Sequence, residues 1–440
     1  HGSLERSEAI LAANPEIAED DIHVAAVLGD DAAVSRVIAR DAAAATSRGG
    51  PRGWDALTYL CFSKYLRLDP SRSDAFVRAA RALLDAGASV RTGFWEPDHQ
   101  PKPEWESVMY GAAGVAHHPE LTQLLLEYGA DPNDEETPYH APETYDNRAL
   151  DVLVRSGKLT DDSLTMILLR KTDWHDDDGV TWLLERGIDP NRMTRFGKTA
   201  LHNALLSDNG LRIIEALLDH GADPLLGLER DERIRTGAAG QTAVSIAVRR
   251  GRGDVLDLFE RRGIPLALRG VDRLMAACAR DDDERVRSIA DAEPHLVDEI
   301  VVEGGTLLAQ FAGNGNTAGV RHLLDLGVDV NARYVQGNSY LGIAPDSTAL
   351  HAAAWLARHA TVAQLVERGA AINRPDGKGR TALALAVRAC VDSYWTRRRS
   401  PESVAALLNA GASVRGVVFP SGYADVDALL AAHGARSGSD

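Results

Sequence analysis

Histidine beside carboxylates is the pairing most often used for metal ligation or proton transfer near neutral pH, and this chain offers it twice. Asp173-Trp174-His175-Asp176-Asp177-Asp178 sets one imidazole among four carboxylates, a donor mix suited to a divalent cation. His117-His118-Pro119-Glu120, with His99 upstream, offers zinc-type ligands. Both runs also have a simpler meaning. Each stands just before an apolar helical stretch, where acidic groups favour a helix N-terminus and proline fits the first turn. Asp281-Asp282-Asp283-Glu284 before Val286 repeats the acidic arrangement. Arg397-Arg398-Arg399 beside Trp395 has the chemistry to clamp an acidic peptide or a phosphate, although such a run ordinarily forms a solvated loop. Cys61, Cys278 and Cys390 lie far apart with no CxxC pair, so they predict buried thiols rather than a zinc or disulfide framework. A nucleophile elbow, a zinc-protease motif and a phosphate-binding glycine loop are all absent.

The elements that must position these residues are written as a repeat. From Gly197 the chain reads Gly-Lys-Thr-Ala-Leu-His202-Asn-Ala, then Ile213-Ile-Glu-Ala-Leu-Leu218-Asp-His-Gly221-Ala-Asp-Pro224. A second copy reads Ser347-Thr-Ala-Leu-His351-Ala-Ala-Ala, then Val362-Ala-Gln-Leu-Val366-Glu-Arg-Gly369-Ala-Ala-Ile-Asn373. Threonine caps the first helix, alanines allow close stacking, and leucines at helical spacing face the core. Glycine then supplies a left-handed helix end. The glycine recurs as Gly87, Gly129, Gly157, Gly187, Gly221, Gly263, Gly327, Gly369 and Gly411. The histidine position is filled in order by His23, Thr58, Tyr110, His140, Thr165, His202, Ser245, Met275, Ala309, His351 and Ala384. The period is near the 33 residues typical of such units.

This pattern resembles the ankyrin-repeat family, whose signature is Thr-Pro-Leu-His-x-Ala-Ala followed by Val-x-x-Leu-Leu-x-x-Gly-Ala-Asp. The resemblance covers essentially the whole chain and implies an all-α solenoid of about eleven repeats, each a helix-turn-helix plus a finger hairpin. It also implies that the histidines at 23, 140, 202 and 351 brace loops through backbone hydrogen bonds. His140 departs from the pattern, because Pro142 and aromatic neighbours follow an unusual helix start. The units at Thr165 and Met275 are degenerate, and those at His23 and Met275 lack the glycine after the outer helix, which predicts irregular packing or a bend there.

The expected organisation is a cloning remnant at 1–3, a capping half-repeat at 4–21, the array at 22–415, a second capping half-repeat at 416–434 and a flexible tail at 435–440. Insertions interrupt the array at 63–73, 91–107, 225–241, 332–347 and 390–402. Long insertions tend to carry function. Aromatics make up only 5% of the chain, yet many fall in or beside the fingers. Trp54, Trp95, Trp105, Tyr110, Tyr139, His140, Tyr145, Trp174, Tyr334 and Tyr340 are therefore the candidate binding residues.

The net charge is −16 and the pI is about 5.3. An acidic surface repels phosphate backbones, which argues against nucleic acid and for a partner with a basic patch. No apolar run suffices to span a membrane. The sequence thus predicts a monomeric, cytoplasmic scaffold that holds a protein or extended peptide in its concave groove and finger loops, without cofactor, metal or catalytic residues; a secreted effector has the same features. The alternative is a small-molecule binder or enzyme whose pocket the fingers enclose, with Trp95, Trp105, Tyr139, His140 and Trp174 as lining. Its acid–base candidates are Glu96, Asp98, His99, His140 and His175.

Overall fold

Apolar residues at helical spacing, punctuated by glycine, fold into paired helices along the chain. The computed structural model describes residues 3–14, 16–99, 102–228, 240–393 and 396–436. Most of the insertion at 225–241 lies outside the described residues, as do Tyr394, Trp395 and both extreme ends. The chain divides into two units: His1–Ala204 with Glu215–Ala222, and Leu205–Ile214 with Asp223–Asp440. Among the described residues no helix is long and apolar enough to cross a membrane.

In the first unit the inner helices are Ile22–Leu28, Ala56–Cys61, Val108–Tyr110, Glu136–His140 and Asp161–Asp173. The outer helices are Asp31–Arg40, Ser73–Asp85, Pro119–Glu127, Arg148–Arg155 and Asp177–Leu184. Leu83, Leu121, Leu124, Leu125, Leu150 and Leu153 are buried between them. Each such leucine contributes about 2 kcal/mol of transfer free energy. In the second unit the helix Ala349–Trp355 packs between Gly304–Asn314 and Ala382–Val391, the close stacking that a row of alanines allows.

All nine punctuating glycines adopt positive φ, from 65° at Gly157 to 102° at Gly327. Thr242 and Thr381 cap their helices, and Thr348 forms a reciprocal capping box with His351. Where the glycine is missing at Met275, the outer helix Asp283–Ala292 ends at Glu293. Pro294 then opens a further helix, Pro294–Val302, in place of a finger.

The first finger is an antiparallel hairpin of strands Gly93–Glu96 and Glu104–Ser107, in a register that faces Phe94 with Glu106 and Trp95 with Trp105. In the 332–347 insertion, bridges join Tyr334 to Ser347 and Asn338 to Ile343. The 63–73 insertion is not an open loop: it forms the helix Lys64–Leu68 and a 3-10 turn at Pro70–Arg72.

Candidate functional site: an acid-edged aromatic row in the first unit

Asp55 and Asp134 set the frame of the site by the same device. Asp55 accepts from the Thr58 amide at 2.9 Å and from the Thr92 hydroxyl at the root of the first finger. Asp134 accepts from the Thr137 amide, from the Thr137 hydroxyl at 2.9 Å and from the Ser107 hydroxyl at the finger's other strand. One carboxylate thus caps an inner helix and ties it to the finger, fixing the first turn of both helices against the hairpin.

On this frame half-buried rings touch one another in a row. Trp54 stacks on Phe94 with centroids 4.2 Å apart. Phe94 meets Phe62 edge-on at 5.0 Å, and Phe62 meets Tyr110 at 5.8 Å. Tyr110 lies 5.2 Å from His140, His140 lies 4.8 Å from Tyr139, and Tyr139 meets Phe196 at 6.2 Å. A π turn over Gly111–Val115 follows Tyr110. A Cβ at Gly114 would come within 2.6 Å of the Tyr110 ring and 3.1 Å of the His140 Cβ, so the glycine is what allows these rings to lie against the backbone.

Carboxylates edge the row. His140 holds Glu136 through Nε2 at 3.1 Å and Glu143 through Nδ1 at 3.0 Å. The Glu136 contact follows from helical spacing, i to i+4, while Glu143 reaches back from the bend just past the helix end. Burial alone would disfavour the charged ring, but the two carboxylates outweigh it and raise the His140 pKa to about 9. Burial and the Glu136 charge raise Glu106 as well, to about 7, which in its case favours the neutral form. Arg170 pairs with Glu143 and Asp173, donates to the Tyr139 carbonyl at 3.2 Å, and sits 4.0 Å over the Tyr139 ring. Arg52 covers Trp54 at 4.9 Å and Arg195 covers Phe196 at 5.3 Å, so rings of this row already carry guanidiniums.

The sequence candidates separate into groups. Trp54, Tyr110, Tyr139 and His140 belong to the row. Trp95 and Trp105 pair with each other at 5.4 Å on the other face of the hairpin, and Trp95 is 62% exposed. Tyr145 meets Trp174 edge-on at 5.9 Å and donates to its carbonyl. Tyr334 and Tyr340 are in the second unit, the former buried and the latter exposed. The lining expected for an enclosed pocket therefore falls into three separate ring groups. Phe62, Phe94, Phe196, Glu106, Glu136 and Glu143 were not singled out. The Glu136–His140 spacing was a legible signal for one of them, Glu136.

His23, His202 and His351 brace loops as the pattern implied: His23 bonds the Ser47 carbonyl, His202 bonds Thr199, and His351 bonds Thr348 and the Arg374 carbonyl. His118 caps the helix Pro119–Glu127 and meets Ser73 at 2.7 Å, while Asp176 caps Asp177–Leu184 and pairs with Lys171. Among the described residues the group with ligand atoms close enough for a metal is Asp281, Asp283 and His322. Arg321 already lies 2.6 Å from Asp281 and 3.2 Å from Asp283, supplying the cation there. Burial holds the Cys61 thiol far above the usual range and raises Cys278 to about 12, so neither is a ready nucleophile.

The family described as ankyrin repeats (three copies) matches residues 168–265 and 274–376. A stretch of 114 residues is 35% identical to the cyclin-dependent kinase 4 inhibitor B of Bos taurus, covering 24% of this chain and 85% of that protein. The crystal structure of the human ASB11 ankyrin repeat domain is 21% identical, covers 63% of this chain and 98% of that one, and aligns with a TM-score of 0.25.

Proposed function

Because this chain belongs to the ankyrin-repeat family, we propose that it is a protein-binding scaffold whose first unit takes a basic, extended segment of a partner along the aromatic row and the first finger. Ankyrin repeats generally mediate protein–protein interaction, and the relative named as a kinase inhibitor is itself a binding protein. The observation that carries the finer reading is the continuous half-buried row from Trp54 to Phe196 with Glu106, Glu136 and Glu143 along it. Aromatic faces attract lysine and arginine, and carboxylates at their edges complete the recognition. The Trp95–Trp105 pair, with Trp95 exposed and Trp105 half-buried, gives the finger a second contact at little cost in conformational entropy.

A second reading has its own support. Glu106 titrates near 7 beside the charged His140, an acid–base pair among rings that suits a small amine-bearing ligand. Both readings place a cation near Glu106.

The test is fluorescence anisotropy with labelled lysine- and arginine-rich peptides, alongside pull-down from source lysate, using wild type and the triple variant W54A, W95A, W105A. Salt-sensitive peptide binding and a captured protein, both lost in the triple variant, support the scaffold. A co-purifying metabolite with no captured protein and no peptide affinity moves the assignment to the small-ligand reading.

A further inference from the structure

One carboxylate of the aromatic row has no counter-group of its own. Glu106 is only 7% exposed, yet among the described residues nothing hydrogen-bonds to its side chain or forms an ion pair with it. Neither of its oxygens is sealed from solvent. It faces Phe94 across the hairpin, so its side chain stands on the same face as that ring, opposite to Trp95 and Trp105. Glu136 belongs to a helix that packs on this strand, and Tyr110 follows four residues on; both feel the Glu106 charge. The Tyr110 hydroxyl also has no hydrogen-bond partner among the described residues. His140 and His99 act on Glu106 only through space. Both ring nitrogens of His140 are taken, by Glu136 at 3.1 Å and Glu143 at 3.0 Å, so it does not close the gap.

Further along the row, similar surroundings hold a guanidinium. Arg170 lies 4.0 Å over the Tyr139 ring, pairs with Glu143 and Asp173, and donates to the Tyr139 carbonyl. A ring face, two carboxylates and one further oxygen thus receive one arginine. At the finger root the ring is Tyr110, the carboxylates are Glu106 and Glu136, and the further oxygen is the Tyr110 hydroxyl, but no guanidinium of the described residues fills the place. Tyr110 and Phe94 are half-buried, so a side chain laid on the surface reaches this slot without a closed cavity.

Resting on the scaffold reading above, we infer that the slot at Glu106 and Tyr110 takes an arginine side chain of the partner in preference to lysine. A guanidinium is planar, stacks on rings and carries five donors, enough to bond Glu106 and the Tyr110 hydroxyl together. It is also weakly hydrated, so it gives up less on meeting a carboxylate that is mostly buried. A lysine ammonium is compact and strongly hydrated, and it cannot stack flat on the ring while bonding the carboxylate edge. The row's own cation–ring contacts, Arg52 on Trp54, Arg170 on Tyr139 and Arg195 on Phe196, are all made by guanidiniums. A buried carboxylate without a partner is costly, and the incoming arginine relieves that cost.

The experiment is fluorescence anisotropy of the full chain at pH 8 with three labelled glycine–serine peptides that differ only in carrying arginine, lysine or the neutral isostere citrulline. Wild type should bind the arginine peptide about tenfold more tightly than the lysine peptide, and the citrulline peptide weakly or not at all. Glu106→Gln should bring the arginine peptide down to the level of the lysine peptide. Thermal melts at pH 8 accompany the titrations. Glu106→Gln removes a buried charge that has no partner, so it should melt no lower than wild type; a clearly lower melting temperature would give Glu106 a structural counter-group and count against the slot. Equal affinity of wild type for arginine and lysine peptides overturns the arginine slot and leaves the scaffold reading standing. So does an arginine preference that survives in Glu106→Gln. If neither basic peptide binds, the scaffold reading of the row falls, and the slot falls with it.

Discussion

The acid-edged row of the first unit and the arginine hub of the second are built on the same helix-turn-helix repeat, at opposite ends of its helices. In the row, half-buried rings stand where fingers meet inner helices, and the ion cluster around His140 and Arg170 is mostly buried, with carboxylates in excess. In the hub, charged side chains stand at the turns between inner and outer helices, largely buried, with the guanidiniums of Arg252, Arg358 and Arg398 in excess around Asp208. The lesson concerns charge balance more than burial. Each buried cluster must be neutralised from within, one by cations set among carboxylates and the other by a carboxylate set among guanidiniums.

The largest expected effect lies in the hub. Asp208→Ala in chloride buffer leaves Arg358 buried without its partner and should destabilise the second unit by about 4 kcal/mol. Hydrogen exchange should rise in Gly304–Asn314 and Ala349–Trp355 and stay unchanged in Glu136–His140. Equal loosening of both regions would erase the distinction between them.

Next comes His140→Gln. The folded-state pKa of His140 is raised from 6.5 to about 9, so its stabilisation is complete below about 6.5 and is lost as pH rises through 9. With its partial exposure, that amounts to roughly 2 kcal/mol. The variant should be less stable at pH 6 and should show a flatter stability profile between 6.5 and 9, read by urea denaturation across that range.

A smaller effect sharpens the recognition chemistry. A cation binds the ionised form of Glu106, whose pKa is raised to about 7. Affinity for a basic peptide should therefore climb severalfold as pH passes upward through 7. Glu106→Gln should remove that climb, and the anisotropy titration at pH 6 and pH 8 measures it. The smallest effect should be equal in the two units. Gly87 and Gly369 have φ of 97° and 86°, with open space where a Cβ would stand. Gly87→Ala and Gly369→Ala should each cost about 1 kcal/mol through backbone conformation alone. Unequal costs in thermal melts would mean that the repeat is not locally equivalent in the two units.

Much of the fold was legible because its determinants are local. Gly221 and Gly369 end helices through their own φ, Thr242 and Thr381 cap through the next turn, and Pro119 starts a helix because its ring fits there. The Glu136–His140 contact was readable in the same way, from helical spacing, whereas Glu143 lies in the bend past the helix end. The helix Pro294–Val302 was not: the missing glycine at Glu293 marked irregularity, but a finger and a helix were both compatible with it. Phe62, Phe94 and Phe196 were not recognised as part of the row, because their partners lie in other repeats. Arg397 is exposed, as a solvated run predicts, but Arg398 turns inward to Asp208, a residue 190 positions away.

The sequence by itself thus determined the repeat, its helix ends and the family, since each depends on bonds within a few residues. Only the tertiary structure decided which rings touch, which carboxylate His140 shares with Arg170, and which arginines gather at Asp208. Those outcomes depend on how successive helix pairs stack, and stacking sums many weak contacts that no single repeat contains.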